Sequence, residues 1–236
     1  MKIYSKNDLS EYMKNDWILD LLNKLEIEQE KDIRTNIWLK EMDNKRMIFS
    51  DVYGDFINNS NKKIRVLDVG GGYTSVTKEL AKNIDYYLCD YMAHGSHAFL
   101  FSASKDYGFT WLNEDWFNLK LDREFDVVIA NDIFPDVDQR LELFIQKVLP
   151  KCKELRLVLT WYNNPKFYVT QRIDDTEKLT FLSYNGDICS LILRKYKNLI
   201  INYDENLMNL MKSTTDSIFR NGRQIGYIII KSNKKD

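Results

Sequence analysis

Apolar residues in the first quarter of the chain recur at the spacing of a helix. Between residues 6 and 60 they fall three or four positions apart, which places them on one stripe of an α-helix. The first stripe comprises Leu9, Tyr12, Met13, Trp17, Leu21 and Leu22. Similar patterns follow around residues 33–38 and 47–56. The pattern predicts two or three helices, which end before the polar run at residues 58–63.

Beyond residue 63, short apolar runs rich in β-branched residues alternate with helical patterns. The predicted strands are 64–69, 85–90, 109–113, 125–131 and 155–161, and the predicted helices are 74–83, 95–106 and 137–149. Strands joined by helices of this length are typical of βαβ units, in which a parallel sheet is covered on both faces. The expected fold class is α/β, with a mostly parallel sheet.

The last third of the chain has a different pattern. In the segment 163–197, apolar runs are divided by Asp-Asp-Thr-Glu and Asn-Gly-Asp, which favours antiparallel strands joined by turns. We interpret this segment as an inserted β-meander. A helix at 204–219 and a final strand at 224–232 follow it. The predicted organisation is an N-terminal helical cap at 1–61 and a main domain at 62–236.

Composition and charge restrict the possible partners. The 236 residues are 44% apolar, and 34 basic residues stand against 35 acidic ones, so no strong positive field attracts nucleic acid. Neither a signal peptide nor an apolar run of membrane-spanning length is visible, so we expect a cytoplasmic protein without a membrane partner. The three cysteines are scattered along the chain and form no CxxC motif, which argues against a disulfide framework and a zinc site.

Three consecutive glycines, Gly70, Gly71 and Gly72, stand where the first predicted strand turns into a helix. Glycine permits unusual dihedral angles there and lets a ligand approach the backbone. A dinucleotide site requires G-x-G-x-x-G or a final Ala, whereas this chain has Ser75 at the third position. An acidic residue followed by G-x-G is present instead, as Asp68, Gly70 and Gly72.

This second motif resembles the first motif of the class I, Rossmann-like S-adenosylmethionine-dependent methyltransferases. The resemblance implies that Asp68 and the three glycines bind S-adenosylmethionine, with S-adenosylhomocysteine as the product. Asp90 ends the second strand, where an acidic side chain can accept two hydrogen bonds from a ribose diol. Tyr91 is assigned to the same site. A turn aspartate is the simpler alternative for Asp90.

Later strand ends extend the resemblance over residues 64–162. Asp115 and Trp116 follow the third strand and look like the family's adenine site, with Asp115 accepting the exocyclic amine. Asn131 ends the fourth strand, which matches the family's strand beside the methionine end of the cofactor. The N-terminal helices and the meander lie outside the resemblance.

Four residues are candidates for a general base, which methyl transfer needs only if the acceptor carries a proton. They are His94 and His97, which follow Asp90, and Asp132 and Asp136, which follow the fourth strand. An ordinary pair of histidines at a helix start is the alternative for the first two. An acidic residue at a helix start explains Asp136 equally well.

Asp132 also resembles the first acidic ligand of the magnesium-dependent catechol methyltransferases, which have an Asp-Asn pair after the fifth strand. The neutral amides Asn163 and Asn164 stand in place of that pair, so no metal is expected.

The acceptor pocket should be built from segments outside the shared core. In such a family the part that binds the cofactor is common to all members, whereas the part that binds the substrate varies. We assign Tyr12, Trp17, Trp161 and Tyr162 to it, although aromatic residues at helical spacing are usually core. The chain as a whole resembles the small methyltransferases of bacterial capsule biosynthesis, including those that make the O-methyl phosphoramidate modification. For that acceptor, Arg34, Arg46 or Arg172 would hold the phosphoryl group.

The predicted function is methyl transfer to a small molecule, through an oxygen of a phosphoramidate, a phosphoryl group or a sugar hydroxyl. A nucleotide-linked or capsule precursor is the expected acceptor, in surface polysaccharide biosynthesis. The alternatives are a nucleic-acid or amine N-methyltransferase, an NAD-dependent oxidoreductase, and a binding module that only retains the cofactor pocket.

Overall fold

The computed structural model describes residues 1–91, 96–135, 137–164, 166–171 and 178–232. His94, Asp136 and Arg172 lie outside the described residues. Within them, the strands are β1 (Lys2–Ile3), β2 (Arg65–Val69), β3 (Asp85–Cys89), β4 (Thr110–Leu112), β5 (Phe125–Phe134), β6 (Cys152–Trp161), β7 (Lys166–Gln171), β8 (Lys178–Ser183) and β9 (Gln224–Lys231). The α-helices are α1 (Lys6–Tyr12), α2 (Trp17–Leu25), α3 (Arg34–Glu41), α4 (Asp43–Asn58), α5 (Thr77–Asn83), α6 (His97–Tyr107), α7 (Leu141–Val148), α8 (Gly186–Arg194) and α9 (Glu205–Ser213).

The described chain contains a mostly parallel seven-stranded sheet and a separate two-stranded antiparallel sheet, β7-β8. This confirms the predicted α/β class. The chain divides into two compact units, one made of Met1–Asp8 and Leu121–Asp236, the other of Leu9–Lys120. They are called the C-terminal unit and the N-terminal unit below. The predicted division into 1–61 and 62–236 stays a prediction.

In the N-terminal unit, β2, β3 and β4 run parallel in that order. The last four residues of both β2 and β3 are buried, which explains their nearly continuous apolar sequence. Because parallel strands end at the same edge of a sheet, the turns after Val69, Cys89 and Leu112 lie along one edge. The predicted cofactor residues of this unit follow those turns.

In the C-terminal unit the order is β1-β9-β6-β5. Strand β6 is parallel to β5 and antiparallel to β9, with Trp161 opposite Gln224. The residues just before β9 therefore lie at the edge where β5 and β6 end. Strand β1 was not predicted, because two residues are too short to show a periodic pattern.

Two predictions at the C-terminus were wrong in part. A hairpin, β7-β8, does occupy the first half of the predicted meander, but Gly186–Arg194 is the helix α8. Its buried positions include Cys189 and Leu193, one helical turn apart, and the Asn185 side chain accepts a hydrogen bond from the Ile188 N–H at its start. The helix predicted at 204–219 ends at Ser213.

The N-terminal region forms four α-helices, α1 to α4, instead of the two or three predicted. The additional break falls at Asp16, whose side chain accepts a hydrogen bond from the Leu19 N–H and begins α2. The three cysteines, Cys89, Cys152 and Cys189, are free and buried. No helix in the described residues is long and apolar enough to cross a membrane.

Candidate functional site

The loop after β2, residues 70–76, is called the glycine loop. Gly70 and Gly72 have φ angles of 65° and 63°, in the left-handed region that residues with a Cβ rarely adopt. The Gly70 N–H donates to the Cys89 carbonyl oxygen at 2.8 Å, and the Gly72 N–H donates to Asp90 Oδ2 at 3.0 Å. Both bonds join the loop to the end of β3. The structure thus brings the predicted glycines and Asp90 together.

Asp68 lies beneath the glycine loop and is 2% exposed. Its Oδ2 accepts hydrogen bonds from the hydroxyls of Tyr53, at 2.9 Å, and Tyr86, at 2.6 Å. A Cβ on Gly71 would lie 2.5 Å from the carboxyl carbon of Asp68, so this glycine is required by close packing. Among the described residues, the buried Oδ1 of Asp68 has no hydrogen-bond partner. Its predicted contact with a cofactor stays a prediction.

Burial raises the pKa of Asp68 to about 7, against the lowering effect of the two tyrosine hydroxyls. Between the ordinary carboxyl pKa and 7, the folded protein therefore binds more protons at this site than the unfolded chain does. The free energy of unfolding should fall as the pH rises through this window. The full shift corresponds to about 4 kcal/mol, and relaxation around the charge reduces it.

We therefore expect Asp68→Asn to raise the free energy of unfolding by about 2 kcal/mol at pH 8, where the wild-type carboxylate is charged. At pH 4 the substitution should change the free energy of unfolding little. Asparagine keeps an oxygen acceptor for the tyrosines but carries no charge. Urea unfolding at both pH values measures the difference. An equal effect of the substitution at the two pH values would contradict the assigned titration.

The end of β3 also contacts the first turn of α6. The Asp90 carbonyl oxygen accepts a hydrogen bond from Trp111 Nε1 at 2.9 Å, and the ring of His97 meets that of Trp111 edge to face. His97 Nε2 lies 3.0 Å from the Tyr91 carbonyl oxygen. If Nε2 carries the proton, Nδ1 is the basic nitrogen. The structure therefore groups three predicted site residues, Asp90, Tyr91 and His97.

Asp115 and Trp116 follow β4 as predicted. Asp115 Oδ1 accepts the Phe117 N–H at 2.7 Å, a short turn that fixes its carboxylate, and the Trp116 ring is buried. Cys89 Sγ, from the end of β3, donates to the Glu114 carbonyl oxygen at 3.3 Å. This turn lies at the same sheet edge as the glycine loop, where the adenine site was predicted.

Asn131 and Asp132 lie near the end of β5, where the pairing with β6 shifts register between Asn131 and Phe134. Asp132 has a φ of 59°, which turns it out of the regular strand. Its Oδ2 is 3.1 Å from Arg223 Nη2, and both side chains are largely buried. Arg223 was missed by the sequence analysis. Its position directly before the last strand was the available signal.

Tyr12 and Trp17, predicted to bind the acceptor, have partners within the N-terminal helices. The Tyr12 hydroxyl donates to Asp16 Oδ1 at 2.7 Å, and Trp17 Nε1 donates to Ser50 Oγ at 3.0 Å. The buried Arg46 binds Asp16 through Nε and Nη2. Although burial opposes it, the bonds from Arg46 and Tyr12 hold the pKa of Asp16 below its usual value. Arg46 is therefore a structural residue of these helices.

Trp161 and Tyr162 lie at the end of β6. Trp161 is 1% exposed, and its Nε1 donates to the Met211 carbonyl oxygen at 3.0 Å, so it packs within the C-terminal unit. Tyr162 is also buried, and Lys166 Nζ lies 4.5 Å from the centre of its ring. The predicted contact of both residues with an acceptor stays a prediction.

No group of three or more potential metal ligands occurs among the described residues.

No protein-family model and no curated protein sequence matches the chain. Solved structures do match it. The N-terminal domain of EvdMO1, crystallised in the presence of SAH and D-fucose, is 11% identical with a TM-score of 0.51, and the alignment covers 95% of this chain and 97% of that one. The chain shares the fold of that domain.

Two further matches have lower TM-scores. A S-adenosylmethionine-dependent methyltransferase from Clostridium acetobutylicum is 13% identical with a TM-score of 0.46, over 94% of this chain and 99% of that one. Magnesium protoporphyrin IX methyltransferase from Synechocystis, with bound SAM, is 15% identical with a TM-score of 0.46, over 95% and 97%. At these identities, similarity describes the fold alone.

Proposed function

We propose that the chain is an S-adenosylmethionine-dependent methyltransferase that acts on an oxygen of a small molecule. The observation that carries the proposal is the bond from the Gly72 N–H to Asp90 Oδ2. This hydrogen bond fixes the glycine loop against Asp90 at the end of β3, the position where ribose-binding side chains lie in open α/β sheets. An acidic side chain at this strand end can accept hydrogen bonds from both hydroxyls of a ribose diol.

The remaining parts of the cofactor site follow from the neighbouring strand ends. We assign the adenine to the turn that carries Asp115 and Trp116. The glycine loop would lie along the ribose and the methionine part, because glycines allow the closest approach to the backbone. This order agrees with the sequence of turns along the edge formed by β2, β3 and β4.

The reaction is an in-line displacement. The acceptor oxygen forms a bond to the methyl carbon while the carbon–sulfur bond breaks, and the electron pair remains on sulfur in S-adenosylhomocysteine. A hydroxyl acceptor also loses a proton, for which we propose His97, His94 or Asp132. An anionic phosphoryl or phosphoramidate oxygen needs no base, and alignment alone then supplies the catalysis.

For the acceptor we propose a sugar hydroxyl or a phosphoramidate in a surface polysaccharide precursor. The similar EvdMO1 domain was crystallised in the presence of D-fucose, which supports testing sugars first. The formal charge of -1 supports a small molecule over a nucleic acid. An assay of S-adenosylhomocysteine release with D-fucose and with phosphoramidate as acceptors distinguishes the two classes.

The experiment that tests the cofactor is isothermal titration with S-adenosylmethionine, S-adenosylhomocysteine and NAD. We expect both sulfur nucleosides to bind, and Asp90→Ala to weaken them about 10-fold to 100-fold, since hydrogen bonds to a charged group contribute about 1.5–3 kcal/mol. The matched control is Asp85→Ala, at the opposite end of β3, where the carboxylate pairs with Arg65 at 3.0 Å. This control should bind like the wild type.

Binding of NAD alone would overturn the proposal and make the glycine loop part of a dinucleotide site. Equal loss of affinity in Asp90→Ala and Asp85→Ala would assign the effect to the strand and not to the ribose contact.

A further inference from the structure

Glu30 is a fully buried carboxylate in a segment that the sequence analysis gave no chemical role. It ends a one-turn 3-10 helix, Glu28–Glu30, between α2 and α3, and its side chain is 0% exposed. Oε2 accepts the Ile27 N–H at 3.1 Å and lies 2.9 Å from Lys78 Nζ. Removing such a charge from water is costly, so a fold that retains it is expected to use it.

Two further donors come from the glycine loop. The Tyr73 hydroxyl donates to Glu30 Oε1 at 2.6 Å, and Ser75 Oγ lies 2.8 Å from Oε2. We call Glu30, Tyr73, Ser75 and Lys78 the Glu30 cluster. Burial opposes ionisation, but the hydrogen bonds from Tyr73, Lys78 and Ser75 outweigh it and hold the pKa of Glu30 below its usual value. The carboxylate is therefore charged when it binds the loop.

The first turn of α3 holds the backbone of the same loop. Asn36 Oδ1 accepts the Ser75 N–H at 2.9 Å, and Thr35 Oγ1 donates to the Tyr73 carbonyl oxygen. Asn36 is itself held by Glu26, whose Oε1 accepts its Nδ2 at 2.7 Å. Two loop residues, Tyr73 and Ser75, are thus bonded through both side chain and backbone to the segment 26–36.

These bonds act on a segment that is expensive to order. Two of its residues have positive φ angles, and glycine loses more conformational freedom on folding than other residues. In this conformation of the loop, the Gly72 N–H donates to Asp90 Oδ2. Contacts that fix Tyr73 directly after Gly72 reduce the entropy that a ligand would otherwise have to remove on binding.

We propose that Glu30 is a positioning residue for the glycine loop: through Tyr73 and Ser75 it holds the loop in the conformation in which Gly72 donates to Asp90. The inference rests on the proposed function, since it assigns the loop to cofactor binding. It goes beyond it by making affinity for the cofactor depend on a carboxylate about forty residues earlier in the chain, in the N-terminal helical region.

The test compares Glu30→Gln with Glu28→Gln, a residue on the same helical turn whose exposed side chain pairs with Lys31 Nζ at 2.6 Å. We expect Glu30→Gln to bind S-adenosylhomocysteine about 10-fold more weakly, which corresponds to about 1.4 kcal/mol. The peptide that spans the glycine loop should exchange its amide hydrogens about 10-fold faster, with unchanged exchange in β3. Glu28→Gln should change neither quantity.

Tyr73→Phe is the second variant, because it removes one hydroxyl from the Glu30 cluster and leaves the buried ion pair intact. It should show the same two changes at smaller size, which keeps the test decisive if Glu30→Gln does not fold. Unchanged loop exchange and unchanged affinity in both variants would overturn the proposal. Faster exchange spread evenly over the N-terminal unit would also overturn it, since Glu30 would then support the unit as a whole.

The exchange measurement separates this proposal from the proposed function. If the wild type binds neither sulfur nucleoside, the proposed function fails, while exchange in the unliganded protein still shows whether Glu30 orders the loop.

Discussion

Gly72→Ala is expected to lower the affinity for S-adenosylmethionine and S-adenosylhomocysteine at least about 100-fold, or about 2.7 kcal/mol. The residue has a φ of 63°, which costs an alanine about 1–2 kcal/mol. Its new Cβ would also lie 2.5 Å from Thr35 Cγ2 and 3.1 Å from Thr35 Cβ. Either the loop or the Thr35 side chain, which donates to the Tyr73 carbonyl oxygen, must shift to relieve this overlap, and we expect the shift to weaken the bond between Gly72 and Asp90.

Gly108→Ala provides the matched control, because Gly108 ends α6 with a φ of 74° and no atom of the described residues lies within 4 Å of an added Cβ. It carries the same backbone cost without the overlap, so its affinity should be that of the wild type. Combining Gly72→Ala with Thr35→Ser removes the methyl group that collides and retains the hydroxyl bonded to Tyr73. The double variant should regain part of the lost affinity.

Isothermal titration with S-adenosylhomocysteine measures the affinity of the three variants, after circular dichroism has shown that each is folded. A folded Gly72→Ala protein with wild-type affinity would place the cofactor elsewhere. A loss of the same size in Gly108→Ala would show that backbone strain, and not the loop geometry, sets the affinity.

The parts of this site that could be predicted are those with local signals. The glycines and Asp90 follow the buried strands β2 and β3, whereas Asp115 follows the short and more exposed β4. Apolar strands of four to eight residues are visible in sequence, and the turns after parallel strands lie at one edge of the sheet. The strand pattern therefore predicts that the glycines and Asp90 share one edge, whereas the bond between Gly72 and Asp90 is seen only in the structure.

Residues whose role depends on a distant partner could not be predicted in this way. Glu30 stands in a polar stretch, EQEKD, which is typical of an exposed turn, and only the fold shows that Tyr73 and Ser75 bury it. Arg223 became visible as a partner of Asp132 only when β9 was found antiparallel to β6. The periodicity of apolar residues indicates which face of a helix or strand is buried, but it does not indicate which other element packs against that face.

The helix α8 shows the same limit and leads to the second large effect. The Asn-Gly-Asp at 185–187 is a typical turn signal, but here Asn185 caps the helix and Gly186 is its first residue. A Cβ on Gly186 would overlap the Met211 carbonyl oxygen and lie 2.9 Å from the Lys212 nitrogen. The glycine is thus required where the start of α8 meets the end of α9, and not for a turn.

We expect Gly186→Ala to lower the free energy of unfolding by about 3–5 kcal/mol, because the overlap is with backbone that cannot rotate away. The Met211 carbonyl is also the acceptor for Trp161 Nε1, so any shift of α9 disturbs the buried indole of β6. For a chain of this size the melting temperature should fall by about 10 °C. Urea unfolding monitored by circular dichroism measures the loss.

Gly222→Ala, in the same unit, is the control, since Gly222 has a φ of 80° and an added Cβ would have no neighbour within 4 Å in the described part of the chain. This substitution should lower the free energy of unfolding by only about 1–2 kcal/mol, because an alanine is strained in the left-handed region. Equal losses in the two variants would mean that α8 and α9 do not pack as closely as the structure places them. A larger loss in Gly186→Ala establishes that this glycine holds a helix contact, which explains why a turn signal in the sequence led to the wrong element.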